Sequence, residues 1–267
     1  MHALSRVALL LAASAFMLYG TTGCRELNLA PPAEVDAVAV SAAARNAVDA
    51  PDRSAADRTL DAGRKPQELL SFFGIEPGMR VAEIGAASGY TTELLARTVG
   101  ASGRVYAQNS PFILERFAAK PWSERLAKPV MANVVRVDAE FDAPLPIGVK
   151  DLDVVVNVLF YHDTVWMGVD RHAMNRAVFA ALRPGGVYGI VDHSAAPGRG
   201  VDDVKSLHRI EESTLVAEIE RAGFRLEAAT RLLRNTEDTR DWNASPMAAG
   251  ERRGTSDRFV LRFVKPS

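Results

Sequence analysis

The stretch Val81-Ala-Glu-Ile-Gly85-Ala-Ala-Ser-Gly89-Tyr90 decides how this chain is read. Arg80 to Ile84 is short and mostly apolar, the pattern of a strand buried on both faces of a parallel sheet. Gly85 and Gly89 let the backbone turn sharply at the strand end and approach a ligand closely. Leu94, Leu95 and Val99 recur at helical spacing. A helix over 90–99 therefore directs its free N–H groups and positive dipole end at the turn, where a carboxylate or phosphate belongs. A dinucleotide loop is disfavoured: counting from Gly85, its second and third small positions are Ala87 and Tyr90, and Tyr90 is far too large. A phosphate-binding P-loop lacks its lysine.

Working outward, Asp57 to Phe73 reads as helical, and Glu76-Pro77-Gly78 as the turn into the first strand. Further strands follow at 104–108, 134–137, 152–159 and 187–191, with a helix over 172–182 before the Pro184-Gly185-Gly186 turn. The end of the chain departs from this alternation: a helix over 204–222, an extended stretch over 224–233, a polar loop over 235–254 and an alternating stretch over 258–264. The expected architecture is α/β: a doubly wound, mostly parallel, seven-stranded sheet with a C-terminal antiparallel hairpin.

Several later segments fall in a telling order. Asp138 closes the third strand and Asp153 to Asn157 lies in the fourth. Leu182-Arg-Pro-Gly-Gly186 leads into the fifth, and Glu220-Arg-Ala-Gly-Phe224 precedes the sixth. Together with the glycine loop this set, covering roughly 66–264, resembles the class I S-adenosylmethionine-dependent methyltransferases and their Rossmann-like fold. The resemblance implies S-adenosyl-L-methionine as cofactor, its methionine portion against Gly85, Ala87 and Gly89, with Glu83 supporting the loop. Tyr90 and Asn157 complete the implied set, and Asp138 would lie near the adenine. Where that family has an acidic residue for the ribose hydroxyls, this chain has Asn109, or Gln108 beside it, which accepts a hydrogen bond without charge.

The fourth strand runs into Tyr161-His162-Asp163 and the fifth into Asp192-His193-Ser194. Ligands of open α/β sheets bind beyond the carboxyl ends of the strands, so these two clusters should meet at the mouth of the site. His162 is the expected general base, with Asp163 or Asp192 to orient it, His193 as the alternative, Tyr161 beside it and His208 capping from the other side. The segment around His162 resembles the Leu-His-His stretch of small-molecule methyltransferases and implies a small organic methyl acceptor. His162, Asp163, Asp192 and His193 are also ligand types for a divalent ion, but their spacing fixes no coordination geometry, and no metal is assigned. Trp166, Met167 and Trp242 are candidates to line an apolar acceptor pocket, and 236–242 reads as a solvated loop long enough to act as a lid.

The ends and the composition set the context. A basic start, an apolar run over 7–19 and small residues up to Cys24 describe an export signal. Thr-Thr-Gly-Cys24 resembles the lipoprotein cleavage box, implying an acyl tether to a membrane surface in the periplasm. Cys24 is the sole cysteine, so no intramolecular disulfide forms. Residues 25–48 read as a flexible tether rich in Ala, Val and Pro, leaving 49–267 as the folded domain. A chain 48% hydrophobic and 24% charged suits one large core, and a net charge of -1 gives no reason to expect nucleic acid. The expected function is methyl transfer by an exported enzyme; a membrane-tethered ligand-binding module of the same fold, without catalysis, is the competing expectation.

Overall fold

A computed structural model describes residues 32–267; the expected signal, Cys24 and the first part of the expected tether lie outside them. The strands are β1 (Ala33–Val35), β2 (Arg80–Ile84), β3 (Arg104–Asn109), β4 (Val134–Asp138), β5 (Leu152–Val158), β6 (Leu182–His193), β7 (Arg225–Thr230) and β8 (Arg258–Val264); all but β1 stand where the hydrophobic pattern sets them, with β6 beginning earlier, through the expected Pro184-Gly185-Gly186 turn. They form one sheet in the order β1-β7-β8-β6-β5-β2-β3-β4. β2 pairs in parallel with β3 and β5, and β8 inserts antiparallel between β6 and β7. The sheet has eight strands rather than seven, because β1 adds in parallel to the edge strand β7.

That eighth strand comes from the segment expected to be a tether. From Ala33 onward it is folded, and α1 (Ala42–Asp49) buries Ala44, Ala47 and Val48 in the core. Ser41 caps α1 by accepting from the Ala44 N–H at 3.1 Å, and its own N–H donates to the Ser71 hydroxyl at 3.0 Å. The composition misleads there because Ala and Val serve a linker and a small buried helix face equally well. Helices α2 (Ala55–Arg64) and α3 (Pro66–Phe72) follow, with Pro66 in the first turn of α3, where its missing donor costs nothing. α4 (Tyr90–Val99) lies next to β2 and β3.

Between β3 and β4 the chain forms α5 (Pro111–Ile113), a π-helical turn over Leu114–Ala118 and α6 (Ala119–Leu126), started by Ser110, whose hydroxyl accepts from the Ile113 N–H. After β5 come α7 (Tyr161–Trp166) and α8 (Arg171–Ala181). The single helix expected over 204–222 is broken: α9 (Val204–Leu207) ends at His208 in the left-handed conformation, φ 51° and ψ 52°, and α10 (Glu212–Arg221) begins afresh. Ile210 in the gap exchanges hydrogen bonds with the end of β6, donating to the His193 carbonyl and accepting from Ala195. No helix among the described residues is long and apolar enough to cross a membrane.

Comparing chains that begin at Pro32 and at Ala50 tests the role of the amino-terminal segment. Losing β1 and the buried face of α1 should lower the thermal midpoint by roughly 5–10 °C, at about 2–4 °C per kcal/mol for a domain of this size. Equal midpoints would restore the tether reading.

Candidate functional site

The glycine loop has the backbone that its sequence demands. Gly85, Ala87 and Gly89 have φ of 77°, 50° and 81°, and a Cβ on Gly85 or Gly89 would meet a ring carbon of Phe160 or Trp122 at 2.5 or 2.4 Å. Ala87 in this region costs about 1–2 kcal/mol, and Asn109 offsets it. Its Oδ1 accepts from the Ala87 N–H at 2.7 Å, and its Nδ2 donates to the Ala87 carbonyl at 3.1 Å. Gln108 accepts from the Gly85 N–H at 3.1 Å. Asn109 therefore braces the loop on both of its amide atoms, instead of presenting a free acceptor for a ribose.

The other residues implied as cofactor ligands divide. Glu83 is buried under the loop and accepts from the Thr92 hydroxyl of α4. Tyr90 turns to α2, donating to Asp61 at 2.6 Å with the Arg64 guanidinium over its ring. Asp138 is exposed at the edge of β4 and paired with Arg136 at 2.8 Å. Asn157 is fully buried within β5, opposite Ile190.

The loop suits a methionine-bearing cofactor in its backbone, but two rings lie against it. Phe160, just after β5, covers Gly85; Trp122 of α6 covers Gly89, and Arg125 of α6 donates to the Ser88 carbonyl at 2.6 Å. The buried Trp122 Nε1 has no hydrogen-bond partner among the described residues, so an acceptor arriving there would satisfy a donor otherwise left unpaired. Phe160 and Trp122 thus occupy the faces of Gly85 and Gly89 where a Cβ would stand. Nothing in the sequence spacing pointed to Trp122, although Ser110-Pro111 announces the helix that carries it.

Two residues beyond Phe160 the histidine cluster begins. His162 Nδ1 lies 2.6 Å from Asp192 Oδ1; the carboxylate of Asp192 also accepts from the backbone N–H groups of His162 at 2.8 Å and His193 at 2.7 Å. On its other side, His162 Nε2 is 3.1 Å from His208 Nδ1 and 3.4 Å from Asp163 Oδ1, while His208 Nδ1 and Asp163 Oδ1 are 3.3 Å apart. Trp166 Nε1 donates to that same Asp163 oxygen at 2.7 Å. His193 stands 5.7 Å from His162, ring to ring, and its Nδ1 is 2.7 Å from the Ser256 hydroxyl.

The structure thus brings together His162, Asp163, Asp192, His193 and His208. It separates Tyr161, whose hydroxyl donates to Glu218 at 2.9 Å and accepts from Asn175 at 2.8 Å in the core beside α8 and α10. Successive residues on a helix point about 100° apart, so once His162 turns to Asp192 its neighbour turns inward.

Electrostatics revise the expected base. Burial alone favours neutral imidazole at His162, but Asp192 and then Asp163 outweigh it and raise its pKa to about 9. With no cation at its Nε2, His162 thus carries its second proton at neutral pH and stands as a donor. Burial, reinforced by the charge of His162, pushes His193 well below the usual histidine range. At Asp163 burial opposes ionisation, yet His162 and His208 hold the carboxyl below its ordinary value.

The loop region 235–254 is not a freely solvated lid. Fully buried Arg209 pairs with Asp238 at 2.8 Å and donates to the Trp242 and Ser194 carbonyls, with its guanidinium over the Trp242 ring. Trp242 serves that anchor.

Strand order and glycine loop together define the fold, the Rossmann-like one of methyltransferases. Solved structures agree. A SAM-dependent methyltransferase from Aquifex aeolicus superposes with a TM-score of 0.55 at 17% identity, over 79% of this chain and 97% of that one. An S-adenosylmethionine-dependent methyltransferase from Mesorhizobium loti gives 0.50 at 18%, over 77% and 99%. The [4+2]-cyclase SpnF, on the same fold, gives 0.51 at 17%, over 79% and 81%. The chain therefore has the fold of the class I S-adenosylmethionine-dependent methyltransferases. Residues 33–120, about a third of the chain, match the protein-L-isoaspartate(D-aspartate) O-methyltransferase family. No curated protein matches the sequence significantly.

Burial is also what raises Glu83 to about 7, against hydrogen bonds from Thr92 and Thr91 that lower it. Between its unfolded value of 4.5 and about 7 the folded state holds a proton that the unfolded chain lacks. Stability therefore falls as pH rises through that window, by on the order of 3 kcal/mol, and is flat above it. Urea unfolding at pH 5 and 7.5 should show this loss in the native protein and a smaller one in Glu83→Gln; equal slopes would mean that Glu83 is ionised throughout.

Proposed function

We propose that this protein transfers a methyl group from S-adenosylmethionine to a small organic acceptor. The observation that carries the reading is that Phe160 lies against Gly85 while His162, two residues on, heads the polar cluster, so the cofactor loop and a polar cluster share one mouth at the carboxyl ends of β2, β5 and β6. When bound, the cofactor supplies an electrophilic methyl on its sulfonium. The N-terminus of α4 and the bent loop receive the carboxylate of its methionine part. The open edge of the cluster, Asp163 and His208, orients the acceptor's heteroatom in line with that methyl.

The acceptor's character follows from the rim. Phe112, Phe117 and Trp166 are exposed and meet edge to face, with ring centroids 6.1 and 6.2 Å apart. Three exposed rings at one mouth favour an acceptor with an apolar or aromatic part. The match to the isoaspartate methyltransferase family ends at residue 120, before β4, β5 and the cluster. It therefore does not argue for a protein acceptor. A catalytically silent, ligand-binding module is the second reading, favoured by Asn109, spent on Ala87, and by the two rings over the glycines.

Calorimetric titration with S-adenosylmethionine should show micromolar binding. With labelled cofactor and a panel of small acceptors, His162→Ala should lose about 100-fold or more in turnover, the scale of a positioned polar group, with cofactor affinity within threefold. Absence of binding at millimolar cofactor would reject the enzyme in favour of the second reading.

We also propose that the protein is exported and held at a membrane by acyl chains on Cys24, on the strength of the basic, apolar and small-residue run that precedes it. Cys24→Ser should move the protein from the membrane pellet to the soluble periplasmic fraction; an unchanged distribution would remove the lipid anchor.

A further inference from the structure

We propose that His162 Nε2, His208 Nδ1 and Asp163 Oδ1 bind a divalent transition-metal ion of the zinc class, with Asp192 orienting His162 from behind. The three atoms form a nearly equilateral triangle with sides of 3.1, 3.3 and 3.4 Å. A point about 0.8 Å off that plane lies about 2.05 Å from all three, within the usual range for zinc–nitrogen and zinc–oxygen bonds. Two imidazoles and one carboxylate on one side of an ion leave its other side open, the ligand set of catalytic rather than closed structural sites.

The surroundings match what a metal centre needs. His162 gives its other ring nitrogen to Asp192 at 2.6 Å, the carboxylate–histidine arrangement that fixes the tautomer and orientation of a metal-bound imidazole. Asp163 Oδ1 is steadied by the Trp166 indole. His208 contributes from a different part of the chain and is held in the left-handed region, φ 51°, a strained conformation of the kind that collects at functional sites. Of the three side chains His162 is closed off, whereas His208 and Asp163 remain partly accessible, which gives an ion a way in.

A purely hydrogen-bonded cluster would also hold these groups near one another. It does not require that all three separations be of the size that puts one point within zinc-bond distance of two nitrogens and an oxygen. The inference is independent of methyl transfer, since the same ligand set would serve any reaction that needs a Lewis acid at the strand ends.

Chelator-treated full-length protein titrated with Zn²⁺ should bind one equivalent with a Kd of about 1 μM or tighter. Co²⁺ in its place should give the intense visible bands of a four- or five-coordinate nitrogen and oxygen site. His208→Ala and Asp163→Asn should each weaken binding at least 100-fold, and Asp192→Asn should weaken it by about 10–100-fold, the usual effect of losing such a partner. Because the Co²⁺ spectrum is read on the native chain, the test survives a variant that fails to fold. Binding no tighter than about 0.1 mM would overturn the proposal, as would an equivalent retained by folded His208→Ala or the weak spectrum of six-coordinate cobalt. Cofactor titration is a separate measurement, so failure of the metal site and failure of the methyltransferase reading stay distinguishable.

Discussion

The carboxylate of Asp192 holds the functional end of this molecule together. It is fully buried at the end of β6, and all of its bonding goes to α7 and β6: the His162 ring, the His162 N–H and the His193 N–H. A buried carboxylate is tolerable only when donors surround it, and removing one partner of such a group typically costs about 3–5 kcal/mol. That requirement ties the first turn of α7 to the strand beside it, so the ends of β5 and β6 cannot drift apart. The sheet fixes the height of the two strands, and Asp192 fixes the direction of His162. Every other member of the cluster is arranged around an imidazole that has already been aimed.

The loop after β2 is braced by a comparable device with a different consequence. A left-handed Ala87 between two left-handed glycines needs support, and both amide atoms of Asn109 supply it from the end of the neighbouring strand. A carboxylate at that position could accept from the Ala87 N–H but could not donate to its carbonyl. The side chain at 109 thus serves the loop's backbone with both of its amide atoms. Trp122 and Phe160 pack against the glycines, so a ligand reaching those faces of Gly85 and Gly89 would displace the rings and bind more weakly for it. The π-helical turn before α6 is a natural pivot for the segment that carries Trp122, since such turns interrupt regular helix bonding at functional sites.

How much of this was legible depended on the range of the forces involved. The parallel strands, the α4 helix, the late antiparallel hairpin and the convergence of His162, Asp163, Asp192 and His193 all follow from local periodicity plus the rule that sites lie beyond strand ends. The segment over 33–48 was misread because a short edge strand and an alanine-rich helix carry too few large apolar residues to show a period, although Ser41 was in place as a cap. Tyr161 was grouped with His162 because they are neighbours in sequence; the helix that separates them by about 100° was not itself visible in so short a stretch. The break at His208 was beyond reach. A helical pattern runs through it, and what interrupts the pattern is a buried ion pair between residues 29 positions apart.

That ion pair explains why His208 points where it does. Arg209 is wholly buried, and its guanidinium is divided among Asp238, the Ser194 carbonyl and the Trp242 carbonyl, with the Trp242 ring beneath it. A buried arginine so engaged cannot rotate away without leaving several charged or carbonyl groups unpaired. On its far side Ile210 is bonded to the end of β6, and on its near side α9 is secured by Ala244 and Asn243 of the following loop. His208, caught between these fixed points, has little freedom beyond its own side-chain torsions, and its strained backbone persists because its neighbours over-determine it. The long polar segment over 235–254 therefore acts as a buttress: Asp238 sets Arg209, Arg209 sets the backbone of His208, and Asp192 sets His162 from the opposite side. Two independent anchors, one on the sheet and one on a loop, bring two imidazoles to within 3.1 Å. Hydrophobic burial alone would not select that separation; a direct hydrogen bond between the two rings does, and an ion held by both would suit it as well.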